Sequence, residues 1–271
     1  MQRADFAIRW RGASIRIEAG WVGAAASARP TVVFLHEGLG SLAMWKDFPD
    51  AFCRRFGLRG LVFSRYGYGR STPRPQAERW PPGFMHEQAF DALPALLAAA
   101  AIERPILFGH SDGASIALLY GARFDPTAIV AVAPHLFVEE VSIASIEQAR
   151  IAYRDGDLRA RLARYHDDVD SAFHGWNDAW LAPEFRAWNI EREVAAIRCP
   201  VLAIQGTDDE YGTLAQVRTI GLLLPDAARV VELARCGHSP QRDQPEALMR
   251  EAGRFIDDIA PASHGLAHSA G

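Results

Sequence analysis

The most constraining stretch of this chain is residues 106–121, ILFGHSDGASIALLYG, where a short apolar run meets a serine set between two glycines and then a helix-forming run. Ile106, Leu107 and Phe108 read as a buried strand, and Ala114 to Tyr120 as an apolar helix that packs back on a sheet. A serine at such a junction sits on a strained strand-to-helix turn. Gly109 and Gly113, two before and two after it, remove side chains that would collide where strand and helix cross. Ser111 is therefore the candidate nucleophile, against the plainer role of a helix-capping serine.

A serine hydroxyl is a poor nucleophile near neutral pH, so chemistry at Ser111 requires a histidine to take its proton and an acid to orient that histidine. The chain supplies both downstream, in the order Ser, Asp, His. PVLAIQG at 200–206 reads as a buried strand with Asp208 and Asp209 in the turn beyond it. RVVELA at 229–234 reads as the next strand and is followed by Arg235, Cys236, Gly237 and His238. Open α/β sheets gather their sites at the carboxyl ends of the strands, which a histidine in that loop can reach.

The remaining pattern is consistent with such a sheet. Strand cores are expected near 31–35, 60–64, 105–109, 128–133, 200–205 and 229–233, alternating with helices, which predicts a mostly parallel sheet covered on both faces. An antiparallel pair at 6–10 and 14–20 brings the expectation to eight strands. Between 135 and 190 the alternation stops, and several amphipathic helices follow one another. The chain thus divides into an α/β core of 1–134 and 191–260, a helical cap insertion of 135–190, and a flexible tail of 261–271. The cap is expected over Ser111; the alternative is a rearranged crossover with no covering role.

Composition excludes several classes. The chain of 271 residues is 49% hydrophobic and 23% charged with net charge −4, which suits a soluble globule, not a nucleic-acid or anionic-membrane binder. MQRADFAIRWRG at the amino terminus lacks the features of a secretory signal, and no stretch nears the roughly 18 apolar residues that span a bilayer, so a cytoplasmic protein is expected. Cys53, Cys199 and Cys236 form no C-x-x-C pair and read as reduced packing residues. Gly67-Tyr68-Gly69 continues as Arg70-Ser71-Thr72, without the third glycine of a dinucleotide fingerprint. No metal and no cofactor are expected. The expected partner is a small-molecule substrate, met by a monomer or homodimer.

These segments together resemble the α/β-hydrolase family over nearly the whole chain. VVFLHEGLGS at 32–41 is similar to the family's strand and His-Gly loop, with His36-Glu37-Gly38 in place of the usual His-Gly. GLVFSRYGYGRST at 60–72 resembles its G-x-G-x-S segment, through Gly67, Gly69 and Ser71. RCGHSPQRDQPEAL at 235–248 resembles its histidine loop and last helix. The resemblance implies an α/β-hydrolase fold acting as a serine hydrolase, with His238 as base. The family's acid falls three residues after the glycine that ends its strand, which selects Asp209 after Gly206; Asp208 and Glu210 are the neighbouring alternatives. The oxyanion hole would use the backbone N–H groups of Asp112 and Gly38, with Leu39 the alternative if the loop register slips.

Pocket residues are inferred from position. Glu37, Asp112, His135, Trp176 and Trp180 are the substrate-binding candidates, with His86 a further histidine of interest. Trp176, Trp180 and Trp188 share a helical spacing and are expected along one face of the cap, as packing or as pocket lining. His36 is expected to brace its loop, and His110 to pack beneath the elbow. Valacyclovirase-like hydrolases resemble this chain in having Ser-Asp-Gly at the elbow, and in them the aspartate receives a substrate amine. For Asp112 the alternatives are therefore an amine-bearing ester or pairing with a protein arginine such as Arg65 or Arg70. The function expected is hydrolysis of a small-molecule carboxylic ester. Hydrolysis of ring-cleavage diketones at a carbon–carbon bond, or a non-catalytic receptor, are the alternatives.

Overall fold

The computed structural model describes residues 1–260; the stretch 261–271, expected as a flexible tail, lies outside the described residues. The strands are β1 (Gln2–Arg3), β2 (Phe6–Trp10), β3 (Ala13–Ile17), β4 (Ala19–Gly23), β5 (Val32–Leu35), β6 (Arg59–Phe63), β7 (Ile106–His110), β8 (Ala128–Val132), β9 (Val201–Gly206) and β10 (Ala228–Leu233). Eight of them form one sheet in the order β1-β4-β6-β5-β7-β8-β9-β10. β1 and β4 pair antiparallel, and every pairing from β6 to β10 is parallel. Helices cover both faces, which is why the central strands read as continuous apolar runs. Successive side chains alternate between faces. Val33, Leu35, Leu61, Leu107 and Ala203 enter one core, while Val32, Phe34, Val62, Phe108 and Leu202 enter the other.

The strand count matches expectation, but its membership does not. The expected strand at 14–20 is two strands: β3 pairs only with β2 as a separate hairpin, and β4 joins the main sheet beside β6. Glu18 sits at the break, buried, with its carboxylate accepting from Ser64 Oγ (2.8 Å) and Arg70 N–H (2.9 Å). Its N–H donates to Ser71 Oγ (2.9 Å), and its carbonyl accepts from Ser64 N–H (2.9 Å). These partners lie far along the chain, so nothing local announces the break. The short β1 fills the remaining place.

Between β8 and β9 the chain forms helices at Glu140–Asp155, Leu158–Leu162 and Val169–Leu181 and a 3₁₀ turn at Pro183–Ala187. A single antiparallel bridge, Phe137 with Asn189, and a bond from Ile190 N–H to the Leu136 carbonyl (2.7 Å) close this excursion at its base. The helix Val169–Leu181 starts on Asp168, whose carboxylate accepts from Ser171 N–H at 2.9 Å. It buries Val169, Ala172, Phe173, Trp176 and Trp180 along one stripe and ends just before Pro183. Trp188 lies beyond that end and stacks on Phe185 at 5.3 Å. The expected three-tryptophan face is therefore Trp176 and Trp180 only.

Candidate active site

The elbow is strained, and the chain around it shows why. Ser111 has φ 53° and ψ −122°, a region serine seldom enters, and its N–H donates to the Val132 carbonyl at 2.9 Å. Its own carbonyl accepts from the N–H groups of Ala114 (2.8 Å) and Ser115 (3.0 Å), which start the helix Asp112–Arg123. A Cβ at Gly109 would collide with the Gly113 carbonyl oxygen, and one at Gly113 with the Leu35 carbonyl oxygen. Both glycines are required by close backbone approach.

Ser111, His238 and Asp209 lie in one hydrogen-bonded line. Ser111 Oγ is 2.9 Å from His238 Nε2, and His238 Nδ1 is 2.8 Å and 3.0 Å from the Asp209 carboxylate oxygens. A carboxylate only accepts, so Nδ1 carries the proton, and the Nε2 lone pair is left to receive the serine proton. Asp209 also accepts from Tyr211 N–H (2.8 Å) and Gln205 Nε2 (3.1 Å). Burial works against its charge, but the bond from His238 and the Tyr211 N–H outweigh burial and hold its pKa below the usual carboxylate value. Asp208 points elsewhere and accepts from Thr207 Oγ1 at 3.0 Å. Glu210 holds the histidine loop by accepting from His238 N–H at 3.1 Å.

The loop after β5 faces the elbow. The N–H groups of Gly38 and Asp112 make no hydrogen bond among the described residues, so both are free to receive an acceptor. A Cβ at Gly38 would strike the Trp176 indole, which lies directly against the loop. His36 is buried; its Nε2 accepts from Arg65 N–H (2.9 Å), so its Nδ1 is the protonated nitrogen and donates to the Glu37 carbonyl (2.7 Å). Burial foremost, with the Arg65 charge, pushes its pKa well below the ordinary value. His166, from the helical insertion, links this loop to the next by accepting from Gly69 N–H (2.9 Å) and donating to the Leu39 carbonyl (3.0 Å).

Asp112 is 1% exposed. Its Oδ1 accepts from Trp180 Nε1 at 3.2 Å, and its Oδ2 lies 4.0 Å from Arg65 Nη2. Burial raises its pKa to about 6, against the opposing effects of Arg65 and the Trp180 N–H. Arg70, the alternative arginine, donates its backbone N–H to Glu18. His135 packs edge-on against Trp180 at 5.0 Å and lies 5.9 Å from the His238 ring. Burial, then the neighbouring His238, lowers its pKa to about 3, so it is neutral near pH 7.

Glu37, one of the substrate-binding candidates, has its carboxylate turned to His110, 3.5 Å from Nδ1. Burial opposes its charge, and His110 overcomes it, bringing the Glu37 pKa to about 2. His110 Nε2 donates to the His238 carbonyl at 2.7 Å, so this residue ties the elbow to the histidine loop. His86 has Glu193 and Phe90 as neighbours, outside the serine–histidine–aspartate group. Burial raises the Cys236 thiol to about 11, which makes it a poor nucleophile. Sequence reasoning missed His166 and Tyr211, whose ring is 4.7 Å from that of His238. Neither carries a local motif.

Residues 32–252 match the sequence profile of the alpha/beta hydrolase family. The chain belongs to that family. No curated protein matches the sequence. Among solved structures this α/β-hydrolase is similar to carboxylesterase from Nitrososphaera gargenis (17% identity, TM-score 0.75, covering 93% of this chain and 98% of that one). It is also similar to the enol-lactonase of Burkholderia xenovorans LB400 (21%, 0.69, 92% and 99%) and to proline iminopeptidase of Mycobacterium smegmatis (16%, 0.73, 94% and 98%). At these identities the likeness is one of fold. Among the described residues no helix is long and apolar enough to cross a membrane.

Proposed function

We propose that this α/β-hydrolase is a serine hydrolase that cleaves a small-molecule carboxylic ester through an acyl-enzyme. The observation that carries the reading is the continuous line from Ser111 Oγ through His238 to Asp209, at 2.9 Å and 2.8 Å, assembled from the loops after β7, β10 and β9. Ser111 Oγ attacks the carbonyl carbon as His238 Nε2 takes its proton. Asp209 holds the imidazole tautomer and stabilises the imidazolium without becoming protonated. The N–H groups of Gly38 and Asp112 receive the oxyanion, and His238 returns the proton to the leaving alcohol. Water, activated by the same histidine, then releases the acid. The carboxylesterase and lactonase among the similar structures support an ester or lactone as the class of bond.

Residues 135–190 act as the cap of this site and 1–134 with 191–260 as its core. Ser111 is only 6% exposed beneath the insertion. Asp112 Oδ2 has no hydrogen-bond partner among the described residues, but Arg65 already supplies a cation 4.0 Å away and would repel the ammonium of an amine-bearing substrate. Neutral esters are the better class. A fluorophosphonate should add once, on the peptide containing Ser111, and p-nitrophenyl ester turnover should vanish with that label in Ser111→Ala. Label on another serine, or turnover by the alanine variant, would falsify the mechanism.

A further inference from the structure

The carbonyl of Glu37 accepts from three donors: His36 Nδ1 (2.7 Å), Arg65 Nη2 (2.8 Å) and Gly40 N–H (3.1 Å). It belongs to the same peptide unit as the Gly38 N–H. In a trans peptide the C=O and N–H point to opposite sides, so whatever fixes the Glu37 oxygen also fixes the direction of the Gly38 N–H. Donors on the oxygen also polarise the unit and strengthen that N–H as a donor. Arg65 contributes twice to this arrangement. Its backbone N–H sets the His36 tautomer at 2.9 Å, and its guanidinium bonds the carbonyl directly.

The same guanidinium lies 4.0 Å from the carboxylate of Asp112, whose backbone N–H is the second free donor facing the elbow. An unopposed anion there would work against negative charge developing on a substrate oxygen. Arg65 is 1% exposed, and its Nε and Nη1 have no partner among the described residues. A buried arginine kept only for packing would be expected to have its donors satisfied. Among the described residues the one hydrogen bond its guanidinium makes is to Glu37. Tyr68 supports the group through its ring face, 4.7 Å from Cζ.

We propose that Arg65 is the positioning residue of the oxyanion hole, aiming the Glu37–Gly38 peptide and offsetting the charge of Asp112. The inference rests on the serine-hydrolase reading, so the first measurement is fluorophosphonate labelling of the wild type. Absence of label at Ser111 overturns that reading and this one together. With labelling established, Arg65→Met, Arg65→Lys and the double variant Arg65→Met/Asp112→Asn are compared with wild type. The double variant removes both buried charges and keeps the question open to test if Arg65→Met alone does not fold.

The readouts are kcat and KM on p-nitrophenyl acetate and inhibition by a trifluoromethyl ketone against its methyl ketone isostere. The fluorinated inhibitor forms a tetrahedral adduct that places an oxyanion in the hole, and the isostere binds mainly as the ground-state ketone. Arg65→Met should lower kcat by at least about tenfold with KM changed less than about threefold, and should shrink the preference for the fluorinated inhibitor by a similar factor. The double variant should be faster than Arg65→Met, because it carries no unopposed charge at Asp112, but should remain at least about tenfold below wild type because the peptide is no longer aimed, and Arg65→Lys should recover part of kcat. A folded Arg65→Met or double variant with kcat within tenfold of wild type overturns the proposal. So does a loss confined to KM with the inhibitor preference intact, which would make Arg65 a binding or scaffold residue.

Discussion

At the scale of single residues, Asp209 and Asp112 are carboxylates made different by their partners. Asp209 is surrounded by donors and stays charged, whereas Asp112 has one indole N–H and a guanidinium just out of hydrogen-bond reach. Asp209→Asn should leave the fold intact and lower kcat by about 10⁴-fold, because the amide favours the wrong imidazole tautomer. Asp208→Asn should change kcat less than about threefold, since among the described residues its carboxylate bonds only Thr207. Steady-state kinetics of the pair decides which carboxylate serves the histidine.

Asp112 also makes a prediction for stability. Its pKa rises on folding from 3.8 to about 6. Between those values the folded state holds a proton that the unfolded state has released. Its contribution to stability is therefore greatest below pH 3.8, declines as pH rises to about 6, and is flat above. The decline is on the order of 3 kcal/mol. Urea unfolding of wild type and Asp112→Asn across this range should show the decline in the first and its absence in the second; parallel curves would mean that Asp112 is not so displaced.

At the scale of elements, function depends on how closely backbones approach. The helix Asp112–Arg123 crosses β5 and β7 with no room for a methyl at Gly109 or Gly113. Alanine at either position forces strand and helix apart, and should cost roughly 2–4 kcal/mol together with fluorophosphonate labelling. Gly38 differs, because what fills its space is the side chain of Trp176 and not backbone. An indole can rotate, so Gly38→Ala should cost only about 1–2 kcal/mol while disturbing the loop enough to depress kcat. Thermal unfolding and kinetics of these variants separate an elbow that carries the fold from a loop that carries only the site.

At the scale of the whole molecule, the helical insertion is stitched to the core through polar contacts around the candidate site. Trp180 bonds Asp112, His166 bonds Leu39, and Ser142 and Ser145 bond the carbonyls of Tyr211 (2.6 Å) and Glu210 (2.5 Å). On the proposed reading of the insertion as a cap, entry to Ser111, which is 6% exposed, opens some of these bonds. Trp180→Ala removes one tie and a large part of the roof. Its labelling by a bulky fluorophosphonate should speed up relative to a small one, and an unchanged ratio would place the entrance elsewhere.

The sequence alone determined the strand–serine–helix junction and the mostly parallel sheet. Each of these is written in neighbouring residues, since a glycine two positions from Ser111 acts through the covalent chain and apolar runs mark buried strands wherever they pack. The tertiary structure decided what depends on where a side chain points from a turn, because distant partners set that direction. Glu37 turns to His110, 73 positions on by number, and Asp112 faces Arg65 and Trp180, which come from a loop and an insertion on either side of it in the chain. The break at Glu18 has the same cause: Ser64, Arg70 and Ser71 hold its polar groups where alternation alone would have continued the strand. Buried polar atoms must find partners, and the partners available are known only once the chain has folded.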